Sequence, residues 1–183
     1  MNPRLFLLLC CLVLTGPAWP VDTPSLPPGV MAVEGTPAPT LRLNSLNGEP
    51  YDLAGSRGHW VFVHFWASWC GPCKREMPAI QRMINRLHTR RIEFVMVNTA
   101  ETEDEVFTFL AAVAPDVTPL MDTQGLTTER WQPRGLPATF LVDPQGRIRY
   151  QALGGREWDK PPYLDFLRHL ANDTAPQSSQ SSR

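Results

Sequence analysis

The sequence predicts an α/β fold, a central sheet flanked by helices, and three observations carry that prediction. Trp60 to Ala67 is a nearly continuous apolar run, the pattern of a strand covered on both faces. It feeds through Ser68-Trp69 into Cys70-Gly71-Pro72-Cys73, where Pro72 suits the first turn of a helix because its missing N–H has no helical partner. A second apolar run, Ile92 to Val97, and a second helix opened by Thr102-x-x-Glu105 follow in turn. Strand and helix alternating in this way mark α/β architecture.

From the N-terminus, Arg4 and the apolar run Leu5 to Leu14 read as a signal peptide over residues 1–18, with Gly16 and Ala18 as the small residues of a cleavage site. The run is too short for a membrane span, which needs about 20 residues; an uncleaved N-terminal anchor is the competing reading. Residues 19–36 read as a proline-rich linker, because Pro3, Pro17, Pro20, Pro24, Pro27, Pro28, Pro37 and Pro39 crowd the start of the chain. The folded domain is expected over 37–172. Within it, Thr40 to Leu46 and Tyr51 to Leu53 predict a hairpin about Asn47-Gly48.

The helix after Cys70 places Met77, Ile80, Met83 or Ile84, and Leu87 at core-facing spacing, with Arg75, Arg82 and Arg86 toward solvent. Val106, Phe109, Leu110 and Val113 form the apolar face of the helix that Pro115 ends. Thr118 to Met121 is expected as a short strand and Leu126 to Trp131 as one or two helical turns. Thr139 to Val142 and Ile148 to Ala152 predict a hairpin about Asp143-Pro144-Gln145-Gly146. Tyr163, Leu164, Leu167 and Leu170 define a last amphipathic helix, and the Ser/Gln-rich tail, 173–183, is expected to be disordered.

A formal net charge of −1 over 183 residues gives no electrostatic ground for nucleic acid or an anionic membrane as partner. Of the four cysteines, Cys10 and Cys11 leave with the signal, so the mature chain keeps Cys70 and Cys73. An exported protein with that pair alone has no other disulfide to build, which makes thiol chemistry its business. Zinc would need two further ligands, and no second Cys-x-x-Cys or His pair is present. Lys74 follows Cys73 where c-type haem attachment needs His. No cofactor or metal is expected.

A thiol at the start of a helix faces unpaired N–H groups and the positive end of the helix dipole, which stabilise its thiolate. Cys70 is therefore the candidate nucleophile and Cys73, one turn further in, the resolving thiol; Gly71 allows the tight turn between them. Trp69 to Lys74, Trp-Cys-Gly-Pro-Cys-Lys, matches the thioredoxin active site letter for letter, and Pro78 stands five residues after Cys73 as it does there. Gly135-Leu136-Pro137-Ala138-Thr139 resembles the same superfamily's cis-proline loop.

The chain thus resembles the thioredoxin superfamily over roughly residues 37–172. Its early hairpin and the long path from Cys73 to Pro137 resemble the exported thiol–disulfide reductases of the TlpA, ResA and CcmG type. The resemblance implies a thioredoxin fold, a central mixed sheet flanked by helices. It also implies an N-terminal β-hairpin extension and a segment inserted between the active-site helix and the cis-proline loop.

The resemblance further implies that Glu76 helps Cys73 lose its proton; the bland reading is a solvated glutamate favoured by the helix N-terminus. His64 departs from pattern, since thioredoxins keep Asp there and the exported reductases usually Asn. It either tunes the deprotonation of Cys73 or is a core histidine satisfied by a backbone carbonyl. Pro137 is expected in cis, exposing the Leu136 backbone to an extended client segment, with Trp69 as an apolar rim. Trp66 is expected in the core, and His59, His88 and His169 at the surface.

Gly71-Pro72 is the pair of the reducing thioredoxins, where the oxidase DsbA has Pro-His, and this favours a disulfide reductase. The implied partners are client proteins with disulfides, in cytochrome c or metalloprotein maturation, and a membrane electron donor of the DsbD or CcdA kind. The implied setting is the periplasm, and the expected state a monomer. Competing readings are a dithiol oxidase or isomerase on the same fold, and a copper chaperone using Cys70, Cys73 and His64. The Pro-x-x-x-Thr-x-x-Cys of peroxiredoxins does not surround Cys70.

Overall fold

The computed structural model describes residues 25–87 and 91–173. The expected signal peptide, the linker up to residue 24, His88 and the tail from residue 174 lie outside the described residues. The chain runs β1 (Val30–Pro37), β2 (Arg42–Asn44), β3 (Pro50–Asp52), β4 (Trp60–Trp66) and α1 (Gly71–Arg86). It continues through β5 (Ile92–Thr99), α2 (Glu103–Val113), β6 (Leu120–Asp122), α3 (Leu126–Trp131), β7 (Ala138–Val142), β8 (Arg147–Leu153) and α4 (Pro161–Asp173).

Six strands form one mixed sheet in the order β1-β8-β7-β4-β5-β6, while β2 and β3 make a separate hairpin. β4 pairs in parallel with β5 and antiparallel with β7, so it is central and buried along its whole length. Its side chains alternate between two cores, as a period of two requires. Trp60, Phe62 and Trp66 join the core under α1, α2 and α4, whereas Val61, Val63 and Phe65 join the core under the hairpin and Trp131 of α3. His64 falls on the α1 side by the same alternation. Phe62 meets Trp158 edge-on at 4.9 Å between centroids, which seats the loop before α4 against the strand that leads to Cys70.

The linker expected over 19–36 is corrected from Val30 onward. Val30 to Pro37 is an edge strand paired antiparallel with β8, as in Val30 opposite Ala152 and Pro37 opposite Arg147. Its burial pattern leaves most side chains exposed, so no hydrophobic alternation announced it. Backbone pairing to β8 holds it instead, and Tyr163 donates to the Pro28 carbonyl just before it.

At the α2 terminus the predicted capping box is complete. Thr102 Oγ1 accepts from the Glu105 N–H and Glu105 accepts from the Thr102 N–H. That N–H, with the Thr102 hydroxyl, holds the Glu105 carboxyl below its ordinary value of 4.5. A depressed carboxylate contributes stability above its unfolded value and loses it as pH falls through the folded one. Thr102→Ala is expected to lower the melting temperature by about 2–4 °C at neutral pH and by less under acid, a difference that calorimetry at two pH values measures.

Candidate active site

β4 delivers the chain to the site at Trp66, and Ala67-Ser68-Trp69 turn it into α1. The Cys70 N–H donates to the Ala67 carbonyl at 3.3 Å, closing that turn. Cys70 is the N-cap of α1, and its Sγ accepts from the Cys73 N–H at 3.3 Å. A sulfur in this position faces the amides that a helix start leaves without partners. Cys70 and Cys73 are joined as a disulfide with Cα atoms 5.2 Å apart. Cys70 retains 6% exposure and Cys73 none, so only the first sulfur is open to attack from outside. Gly71 and Pro72 are exposed, and Trp69 stands out at 63% exposure next to Cys70.

Glu76 and His64 meet beneath the disulfide. Both are buried, and His64 Nε2 lies 3.0 Å from Glu76 Oε1. The contact is off the line of a hydrogen bond, and neither atom has a hydrogen bond elsewhere, so each is the other's polar neighbour. The second carboxylate oxygen of Glu76 accepts the Arg156 N–H at 2.9 Å. His64 Nδ1 shares a 2.9 Å hydrogen bond with the Thr139 hydroxyl, directly opposite it across β4 and β7. The solvated-glutamate reading of Glu76 therefore fails, and the partner of His64 is a side-chain pair rather than a backbone carbonyl.

The Leu136–Pro137 peptide is cis. Leu136 is half-buried and packs against the core that contains Cys70 and Cys73, while the Pro137 carbonyl accepts from the Gly154 N–H at 2.8 Å. Gly155 lies against this arrangement from the other side. A Cβ there would stand 3.3 Å from the Pro72 carbonyl oxygen and 3.7 Å from Glu76 Oε2, so the loop approaches α1 more closely than a side chain comfortably permits. Cys70, Cys73, Glu76, His64, Trp69, Leu136 and Pro137 thus come from three separate stretches of chain to one end of the sheet. Among the described residues, no three His, Cys, Asp or Glu side chains are grouped to hold a metal ion.

Several residues in contact with the site carried no sequence signal. Thr139 ends the Gly135–Thr139 motif, but nothing in the sequence pairs it with His64, and nothing marks Arg156 in the Gly154-Gly155-Arg156 loop. Glu101 stands just before the Thr102 cap of α2, a position that by itself marks nothing. It is buried, accepting from the Ser68 N–H at 2.6 Å, the Ser68 hydroxyl and Asn98 Nδ2 at 2.7 Å. The sequence expectation for the outlying histidines was simple exposure; His59 is exposed and His169 half-buried.

With this geometry in view, residues 35–151 match the model of the AhpC/TSA family. The chain belongs to the AhpC/TSA family. It is 31% identical over 115 residues to the thiol-disulfide oxidoreductase ResA of Bacillus subtilis, an alignment covering 63% of this chain and 64% of that relative. It is also 31% identical over 136 residues to ResA of Geobacillus kaustophilus, covering 74% of this chain and 75% of the relative. Among solved structures, a provisional thiol:disulfide interchange protein DsbE from Chlorobium tepidum superposes with a TM-score of 0.65 at 28% identity. That match covers 79% of this chain and 99% of the other. The fold is thus thioredoxin-like, a mixed sheet flanked by helices, and the relatives that share it bear the names of thiol–disulfide exchange proteins.

Proposed function

We propose that the chain is an exported thiol–disulfide oxidoreductase working as a disulfide reductase. The observation that carries this reading is the asymmetry of the linked pair: Cys70 caps α1 at the surface, and Cys73 is sealed beneath it. In the reduced protein the Cys70 thiolate attacks one sulfur of a client disulfide, forming a mixed disulfide and releasing the other client sulfur as a thiolate. Cys73 then loses its proton, attacks Cys70 Sγ and expels the second client sulfur. The client leaves with two electrons and, after protonation, two thiols; the protein keeps the disulfide.

The second step needs a base away from water, and Glu76, three residues after Cys73 on α1, with His64 of β4 against it, supplies one. Glu76 is the proton acceptor and His64 the group that holds its carboxylate in place. By resemblance, an extended client segment docks along the Leu136 backbone before Pro137, with the exposed Trp69 as a hydrophobic rim. Gly71-Pro72 supports the reducing direction.

Resemblance extends the proposal to clients in cytochrome c or metalloprotein maturation, a membrane donor of the DsbD or CcdA kind, and a periplasmic location with a cleaved signal or an anchored N-terminus. No helix among the described residues is long and apolar enough to cross a membrane.

Insulin-disulfide reduction together with the equilibrium potential tests the function. The expected result is turnover and a potential below about −180 mV, the isomerase value. A potential well above it transfers the proposal to an oxidase or isomerase, and tight stoichiometric Cu(I) binding without insulin reduction transfers it to a copper chaperone.

A further inference from the structure

Behind the nucleophile, on a different loop from the Glu76–His64 pair, lies a second buried carboxylate. Glu101 is 7% exposed and stands between β5 and α2, where Ala100 adopts a positive φ of 55° to present it. Its three partners are all donors: the Ser68 N–H, the Ser68 hydroxyl and Asn98 Nδ2. A side chain that only accepts has the pattern of an ionised carboxylate. Ser68 and Asn98 therefore hold a negative charge in place, and that charge in turn fixes the Ser68-Trp69 turn from which Cys70 emerges. Ser68 is two residues from Cys70, so their Cα atoms are at most about 7.6 Å apart.

A fixed anion held 2.6 Å from the Ser68 amide, two residues before Cys70 in the chain and shielded from water, disfavours a second negative charge on the Cys70 sulfur. The oxidised protein has no such charge, because its sulfurs are joined. The anion therefore disfavours the reduced, thiolate-bearing form alone, and a dithiol couple whose reduced form is less stable is the stronger reductant. We infer that Glu101 is a positioning residue of the dithiol site, fixing the turn before Cys70 and holding beside it a buried charge that makes the couple more reducing.

The inference rests on the oxidoreductase reading and deepens it, since this determinant lies outside Cys70-Gly71-Pro72-Cys73. Of the other charged groups, Glu103, Asp104 and Glu105 open α2 directly after Glu101, Lys74 and Arg75 follow Cys73 on α1, and Glu76 meets His64 and the Arg156 N–H. All are left unchanged by the test.

Glu101→Gln separates charge from shape. A glutamine oxygen accepts from the Ser68 N–H and Asn98 as before, and its amide donates to the Ser68 hydroxyl, so the hydrogen bonds survive without the charge. Each variant is equilibrated with glutathione, where two glutathione thiols reduce the Cys70–Cys73 disulfide to two thiols and become one glutathione disulfide. Cys70 alkylation is followed against pH alongside.

Relative to wild type, Glu101→Gln is expected to favour the reduced form by about threefold to tenfold, tenfold being about 30 mV. The pH midpoint of Cys70 alkylation is expected to fall by about half to one unit. Glu101→Met, an apolar chain of similar length, is expected to shift both in the same direction, which keeps the test decisive should the glutamine variant not fold. Ser68→Ala removes one donor and keeps the charge, so its equilibrium is expected to stay within about twofold of wild type. Unchanged equilibrium and midpoint in the Glu101 variants, or an equal shift in Ser68→Ala, overturn the inference while wild-type exchange leaves the oxidoreductase reading standing. A wild type that does not exchange with glutathione at all removes both.

Discussion

Cys73→Ser is expected to stop turnover and leave a client covalently attached to Cys70. Cys73 is wholly buried, so no external thiol takes its place readily, and its attack on Cys70 Sγ is intramolecular over a 5.2 Å Cα separation. Held groups of this kind react with effective concentrations far beyond those in solution. Losing the resolving sulfur is expected to cut insulin reduction at least about a thousandfold, the scale seen when one member of a covalent catalytic set is removed. Non-reducing electrophoresis of the variant expressed in its native host, with mass spectrometry of the adducts, reads the outcome and identifies client and donor. Cys70→Ser should form none of these adducts. Equal capture by both variants would show that attack does not begin at Cys70.

The buried pair beneath the disulfide should show the second large effect. Glu76→Leu takes from His64 Nε2 the carboxylate 3.0 Å away and leaves the Arg156 N–H without that acceptor. Leaving a buried polar partner unsatisfied costs about 1–3 kcal/mol, because it stays desolvated and alone. Removing both partners is far milder. Denaturant unfolding of Glu76→Leu, His64→Leu and the double variant is therefore expected to show a coupling of about 1–3 kcal/mol.

The same pair has a kinetic signature. The Cys73 thiol must lose its proton before it attacks Cys70 Sγ, and the buried Glu76–His64 pair is the base proposed for that step. His64→Asn, which keeps polarity but cannot accept a proton, is expected to change the pH profile of mixed-disulfide resolution. A superimposable profile would restrict His64 to a structural role.

Much of this architecture was legible because the signals were local. The apolar run Trp60 to Ala67 could only be a strand covered on both sides, and the capping box at Thr102 and Glu105 is a contact between residues three apart. Cys70-Gly71-Pro72-Cys73 announced a helix start because proline is favoured in the first turn, where its missing N–H has no helical partner. β1 escaped notice for the opposite reason. Its side chains face solvent, and its stability comes from backbone bonds to β8, more than a hundred residues away along the chain.

The sequence by itself determined the chemistry available here: a two-cysteine motif at a helix N-terminus, a glutamate one turn beyond Cys73, and a histidine one strand earlier. Only the tertiary structure decided which of those groups touch. That His64 faces Glu76 rather than a carbonyl, that Thr139 meets its other nitrogen, and that Glu101 holds the Ser68 turn are consequences of strand register and loop closure. These pairings join residues 12 to 75 positions apart, where neither propensity nor periodicity acts, and burial then fixes the electrostatic value of each contact.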